Sequence, residues 1–231
     1  EPNVEEAVLF IEQAEARLLS LWIESGRAAW VQNNFITEDT NKLASAASAE
    51  LMAATTELAT AAARFNGLDL PISLRRKLTR LRTSLAAVAP SEASLQQELA
   101  EIMTEMESVY GLGEYCPGPE ESCLALPALE RRFATVRDTD ELLNIWQGWR
   151  EVSPPIRELY RRFVEISNAG ARELGFDDLG DLWRSGYDMP PDDFASELER
   201  LWTQVRPLYE ALHCHVRAKL AEEFGTAVVP L

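Results

Sequence analysis

Apolar residues recur every three or four positions along this chain, and that spacing restricts its fold more than any other feature. Val4, Val8, Ile11, Leu18 and Trp22 open the pattern, which lays one apolar stripe along a helix instead of alternating between the faces of a strand. The punctuation agrees. Thr37, followed by Glu38 and Asp39, suits an N-cap with acidic residues in the first helical turn. It begins an Ala-rich second helix that runs to about Phe65 and is ended by Asn66-Gly67. Pro71 opens a third helix, and Pro90-Ser91 stops it and caps a fourth that ends at Gly111. Pro127 starts a short helix, and Asp138-Thr-Asp-Glu141 reads as a capping box for Leu142 to Trp149. Pro154-Pro155 breaks the pattern before a helix from Ile156 to Leu174, which has Gly175 behind it. Pro190-Pro191-Asp192 begins the last helix, which reaches about Phe224 and which Pro207 is expected to bend. No segment reads as a strand, no repeat appears, and the expected fold class is all-α.

A chain of 231 residues buries enough surface to need no staples for its core. Its 22 basic residues against 38 acidic ones leave a net charge of −16. A polyanion of this kind repels phosphate backbones and anionic membrane surfaces, so neither nucleic acid nor membrane is an expected partner. No apolar run reaches the ~20 residues that span a bilayer. The start, Glu1-Pro-Asn-Val-Glu-Glu, lacks the basic region and apolar core of a signal peptide. The protein is therefore either cytoplasmic or has lost its signal.

Few residues here have the spacing that chemistry requires. The two histidines, His213 and His215, stand two apart on a helix and point to different faces, whereas H-E-x-x-H places both on one face. No metal site is expected from them. Cys214 between them reads as a small buried hydrophobe, and Glu98, Glu101 and Glu105 as a solvated face. Arg75, Arg76, Lys77, Arg80 and Arg82 make the third helix basic, again a solvated face. Cys116 and Cys123 flank a Pro- and Gly-containing turn, which suits either two separate thiols or a local disulfide. Trp146-Gln-Gly-Trp149-Arg150 sets two indoles on one helix face beside a guanidinium that needs an anion if buried.

That last motif is followed by Asp181-Leu-Trp183-Arg184-Ser-Gly-Tyr187. Together the two resemble the W-x-G-W-R and W-R-S-x-Y of the angiotensin-converting-enzyme family of zinc peptidyl-dipeptidases. Trp30-Val-Gln-Asn33-Asn-Phe-Ile36-Thr37 is similar to that family's W-x-x-N-x-x-I-T, with Gln32 where the family has tyrosine. The stretch from Leu201 through Pro207-Leu208-Tyr209, Leu212-His213 and Val216-Arg217 resembles its L-x-x-x-L-x-P-L-Y-x-x-L-H-x-Y-V-R. These matches are collinear across the chain. One departure is that Cys123-Leu-Ala-Leu126 lacks the family's substrate-contacting Glu after the second cysteine.

The resemblance implies the N-terminal portion of a mostly helical, two-lobed zinc peptidase. Residues 1–90 would form lid helices over a deep channel and residues 91–231 the channel wall. It implies a Cys116–Cys123 disulfide, a chloride bound by Arg150 and a second by Tyr187, and a peptide substrate losing C-terminal dipeptides. The zinc ligands and the general base are expected in a catalytic half following Ala227-Val-Val-Pro-Leu231, which makes this chain inactive alone. The alternative is a non-catalytic helical binding module that retains the scaffold. The missing Asn-x-Ser/Thr sequon and the Ala-rich composition suggest a bacterial relative, periplasmic or secreted, with its signal peptide removed.

Overall fold

The computed structural model describes residues 2–83, 85–118 and 122–225. Pro119–Glu121, the middle of the cysteine loop, and Thr226–Leu231, where the family was expected to continue, lie outside them. Among the described residues the chain is all-α, with nine α-helices and one two-residue strand pair. No helix among them is long and apolar enough to cross a membrane.

Helix α1 spans Val4–Asn34, capped by Asn3, whose Oδ1 accepts from the Glu6 N–H at 3.0 Å. Helix α2 spans Glu38–Ala62 and continues as a 3-10 turn, Ala63–Phe65. Thr37 caps it as expected, exchanging hydrogen bonds with Thr40. Gly67 then takes φ +84, a left-handed turn that a side chain resists. Helix α3 (Ile72–Thr83) ends well before Pro90, and α4 (Ala93–Gly111) begins after Glu92, which makes no side-chain cap bond. Ser91 does not cap it; its N–H instead donates to the Glu173 carboxylate at 2.7 Å.

The expectation of no strand is corrected between α4 and α5. Glu114–Tyr115 (β1) pairs antiparallel with Leu124–Ala125 (β2), and Cys116 is bonded to Cys123 just beyond that pair. A turn held by a disulfide can sustain a ladder too short to be seen in the residue pattern. Helices α5 (Leu126–Thr135) and α6 (Thr139–Arg150) follow, the latter capped by Asp138. Then come α7 (Ile156–Glu173), α8 (Leu179–Ser185) and α9 (Pro191–Phe224).

The core lies in connected patches. α2 contributes to more than one, with Met52 and Ala59 meeting Val88, Leu99, Phe163 and Leu182, and Leu58 meeting Ala14 and Leu18 of α1. Its alanines allow this double contact: Ala54, Ala59 and Ala62 are almost fully buried and let neighbouring helices come close. A third patch joins α1 to α3 through Ala7, Ile11, Leu74 and Leu78. A fourth packs Leu129 of α5 on Ile145 and Trp149 of α6. Helix α9 differs from all the others. It has 34 residues and buries none of them.

Candidate functional site

A groove runs between α1, α2 and α3. Ile11, Ala14, Leu18 and Trp22 follow one another at three- and four-residue steps on α1, so they form a continuous wall. Arg76, Lys77, Arg80 and Leu81 of α3 close the other side, and the space between holds about 440 Å³. A wider hollow of about 610 Å³ adjoins it, lined by Arg80, Thr83, Leu85, Ala86, Trp183, Tyr187 and Asp188. A third, of about 210 Å³, shares Trp22 and Thr55 with the first and Leu85 and Ala86 with the second. Arg80 lines the first two.

The walls are fastened by specific contacts. The Trp183 indole N–H donates to the carbonyls of Leu85 and Ala86 at 3.2 and 3.1 Å, which holds the 85–86 segment in place. Asp188 adopts a left-handed φ of 61, which Asp tolerates better than most residues. Its carboxylate accepts from Arg76 at 2.8 Å, joining the α8–α9 turn to α3. Lys77 pairs with Glu15 of α1 at 2.7 Å. The basic helix is therefore not simply a solvated face, because Arg76 and Lys77 tie it to neighbouring elements, as does Arg82, which donates to the Leu174 carbonyl at 3.5 Å.

Tyr187 and Arg150 do not share a cavity. Tyr187 stacks on Phe194 with ring centroids 4.0 Å apart and is 59% exposed, at the edge of the second hollow. Arg150 is exposed, with its guanidinium 4.5 Å from the centre of the Trp146 ring. Among the described residues no carboxylate pairs with it. The two indoles of the motif are separated: Trp149 is buried against Leu129 and Ile145, while Trp146 stays half exposed. Gly148 sits between them because the Tyr115 ring lies where its Cβ would be.

Glu98, on the solvated face expected of it, is paired across to α7. It accepts two hydrogen bonds from Arg162 of α7, at 2.6 and 2.8 Å, and this fork holds its carboxyl below the usual carboxylate range. Cys214 is exposed, a correction to the buried position expected from its helical pattern. The helix that carries it packs on α8, and none of its residues from Pro191 to Phe224 is buried. His213 stacks on Tyr209 with ring centroids 5.8 Å apart. Among the described residues no three His, Cys, Asp or Glu side chains gather as a metal set requires. The residues present therefore do not fit zinc, and no catalytic step is assigned to them.

Trp22 and Arg80 both line the groove, although the sequence places one in an apolar helix stripe and the other on a solvated basic face and does not bring them together. The available signal was the four-residue step from Arg76 to Arg80, which puts both guanidinia on one side of α3.

The family model described as angiotensin-converting enzyme matches residues 1–231. Angiotensin-converting enzyme of Bos taurus is 31% identical over 230 residues, covering 98% of this chain. The Sus scrofa protein is 31% identical over 223 residues and the Rattus norvegicus protein 31% over 225, covering 95% and 96% of the chain. The chain spans 17% of the length of each of these relatives. With the Trp and Arg motifs in place and the whole length matched, the chain belongs to the angiotensin-converting-enzyme family.

Proposed function

We propose that this chain is part of a zinc-dependent peptidyl-dipeptidase, which releases dipeptides from the C-termini of oligopeptides. In this reading residues 1–90 are the lid helices and residues 91–231 the channel wall. The observation that carries it is α9, whose 34 residues include none that is buried, in a chain matched to a peptidase family along its length. Leu201, Val205, Leu208, Leu212, Val216 and Leu220 step along it at helical spacing and are 39–71% exposed. A stripe of this length marks a surface that another part of a protein covers. The catalytic half that supplies the zinc ligands and the general base would cover it.

Arg150 and Tyr187 are assigned to two chloride sites completed by that half. The exposed Arg150 fork, without a carboxylate partner among the described residues, and the accessible Tyr187 ring support this. The disulfide between Cys116 and Cys123 supports an oxidising location, periplasmic or secreted.

The test is zinc-dependent release of C-terminal dipeptides by the full-length protein, beside the isolated 231-residue chain. Activity in the former alone is expected, and dipeptide release by the isolated chain overturns the reading. Activity is also expected to rise with chloride, and the response to weaken in Arg150→Gln. A flat wild-type response removes the chloride assignment. An intact natural mass near 25.9 kDa would replace catalysis with the reading as a helical binding module.

A further inference from the structure

The groove between α1 and α3 is lined by three cations, Arg76, Lys77 and Arg80, and one carboxylate, Glu15. Its volume of about 440 Å³ lies within the ~300–1,000 Å³ of ligand pockets. The wall is apolar at Leu18, Trp22 and Leu81, while its cations come from α3. Arg76 is balanced by Asp188 and Lys77 by Glu15. Arg80 has no carboxylate partner among the described residues. It lines both this cavity and the adjoining 610 Å³ hollow, in a chain whose net charge is −16. An uncompensated guanidinium beside an apolar wall suits a ligand carrying a carboxylate next to an apolar group, since the planar fork matches a carboxylate with two hydrogen bonds.

We propose that this groove binds an acidic peptide segment, with a Glu or Asp carboxylate on Arg80 and a neighbouring apolar side chain against Leu18 and Trp22. Resting on the peptidyl-dipeptidase reading, that segment is the part of the oligopeptide remote from the bond that is cut. The groove then selects longer substrates by their acidic–apolar pair.

The experiment uses the full-length protein and two ten-residue peptides with identical C-terminal halves, one beginning Glu-Leu-Glu and the other Lys-Leu-Lys. Binding is followed by anisotropy of N-terminally labelled peptide, and cleavage as kcat/KM. Wild type is expected to bind the acidic peptide about tenfold more tightly, which corresponds to one charge-assisted contact. Arg80→Glu should abolish or invert that preference, and Arg80→Lys should retain part of it. Where cleavage occurs, the preference should appear in KM and not in kcat. Equal affinity of wild type for the two peptides, or an unchanged ratio in Arg80→Glu, overturns the proposal. Because binding is read independently, a full-length protein that binds the acidic peptide and cleaves neither sinks the peptidase reading and leaves the groove standing.

Discussion

Two glycines and one ion pair show how single residues place the elements of this chain. A Cβ on Gly170 of α7 would lie 2.5 Å from the Val88 carbonyl oxygen and 2.7 Å from the Ala89 carbonyl carbon. Backbone cannot swing aside as a side-chain tip can, so the close approach of α7 to the 88–89 segment depends on the missing side chain. Gly170→Ala is expected to cost about 1–3 kcal/mol, read as a lower urea midpoint. An unchanged midpoint would show that the segments are not in contact. The conflict at Gly148 is with the Tyr115 ring, so the glycine of the Trp-x-Gly-Trp-Arg motif serves packing as well as any anion site. Glu98, held below its ordinary range by Arg162, carries a pH dependence. Its lowered folded value means that the pair stabilises fully above the unfolded value of about 4.3. The contribution disappears as pH falls through the lower folded value. The difference in urea midpoint between wild type and Glu98→Gln should therefore be largest near neutrality and close as the pH drops below about 4. A gap that stays constant across that range would contradict the pairing.

At the scale of elements, α2 is held from two sides. It meets α1 through Leu58 and the patch around Val88 and Leu99 through Met52 and Ala59. The small side chains of α2 give close packing, since Ala59 is 1% exposed. Ala59→Leu is expected to destabilise by about 1–3 kcal/mol through overpacking, measured by chemical denaturation. A neutral effect would mean that α2 is loosely seated. The Cys116–Cys123 bond clamps a ladder of only two residues per strand. Removing it with Cys116→Ser and Cys123→Ser together should cost about 2–3 kcal/mol by loop closure. The change would appear as a lower melting temperature that reducing agent no longer shifts. The helices were legible because their caps are local: Thr37, Asp138 and Gly175 act through residues within one turn. The strand pair was not legible, because two residues carry no period and the bond that supports them is a contact between chain segments.

For the whole molecule, the decisive feature is the uncovered length of α9. With Trp202 at 47% and Leu208 at 71% exposure, the isolated chain is expected to self-associate at micromolar concentration and to bind hydrophobic dyes. Light scattering should show this association relieved by Trp202→Ser with Leu208→Ser. A monodisperse monomer with no dye binding would show that the stripe needs no cover. How much of this could be read in advance follows the range of the forces involved. Helical periodicity, caps, the acidic balance and the Trp and Arg motifs are properties of neighbouring residues, and they determined the all-α class and the family resemblance. The apolar stripe of α9 could be read in the same way, as could the four-residue step of Arg76 and Arg80. A stripe, however, states only that a helix has a face to cover and not whether this chain covers it, which is why the pattern suggests a buried Cys214 and the structure exposes it. The pairing of Arg76 with Asp188 and Lys77 with Glu15, beside an Arg80 that has no carboxylate partner among the described residues, joins residues 112 and 62 positions apart. Such contacts depend on how helices approach one another in space, and only the tertiary structure decided them.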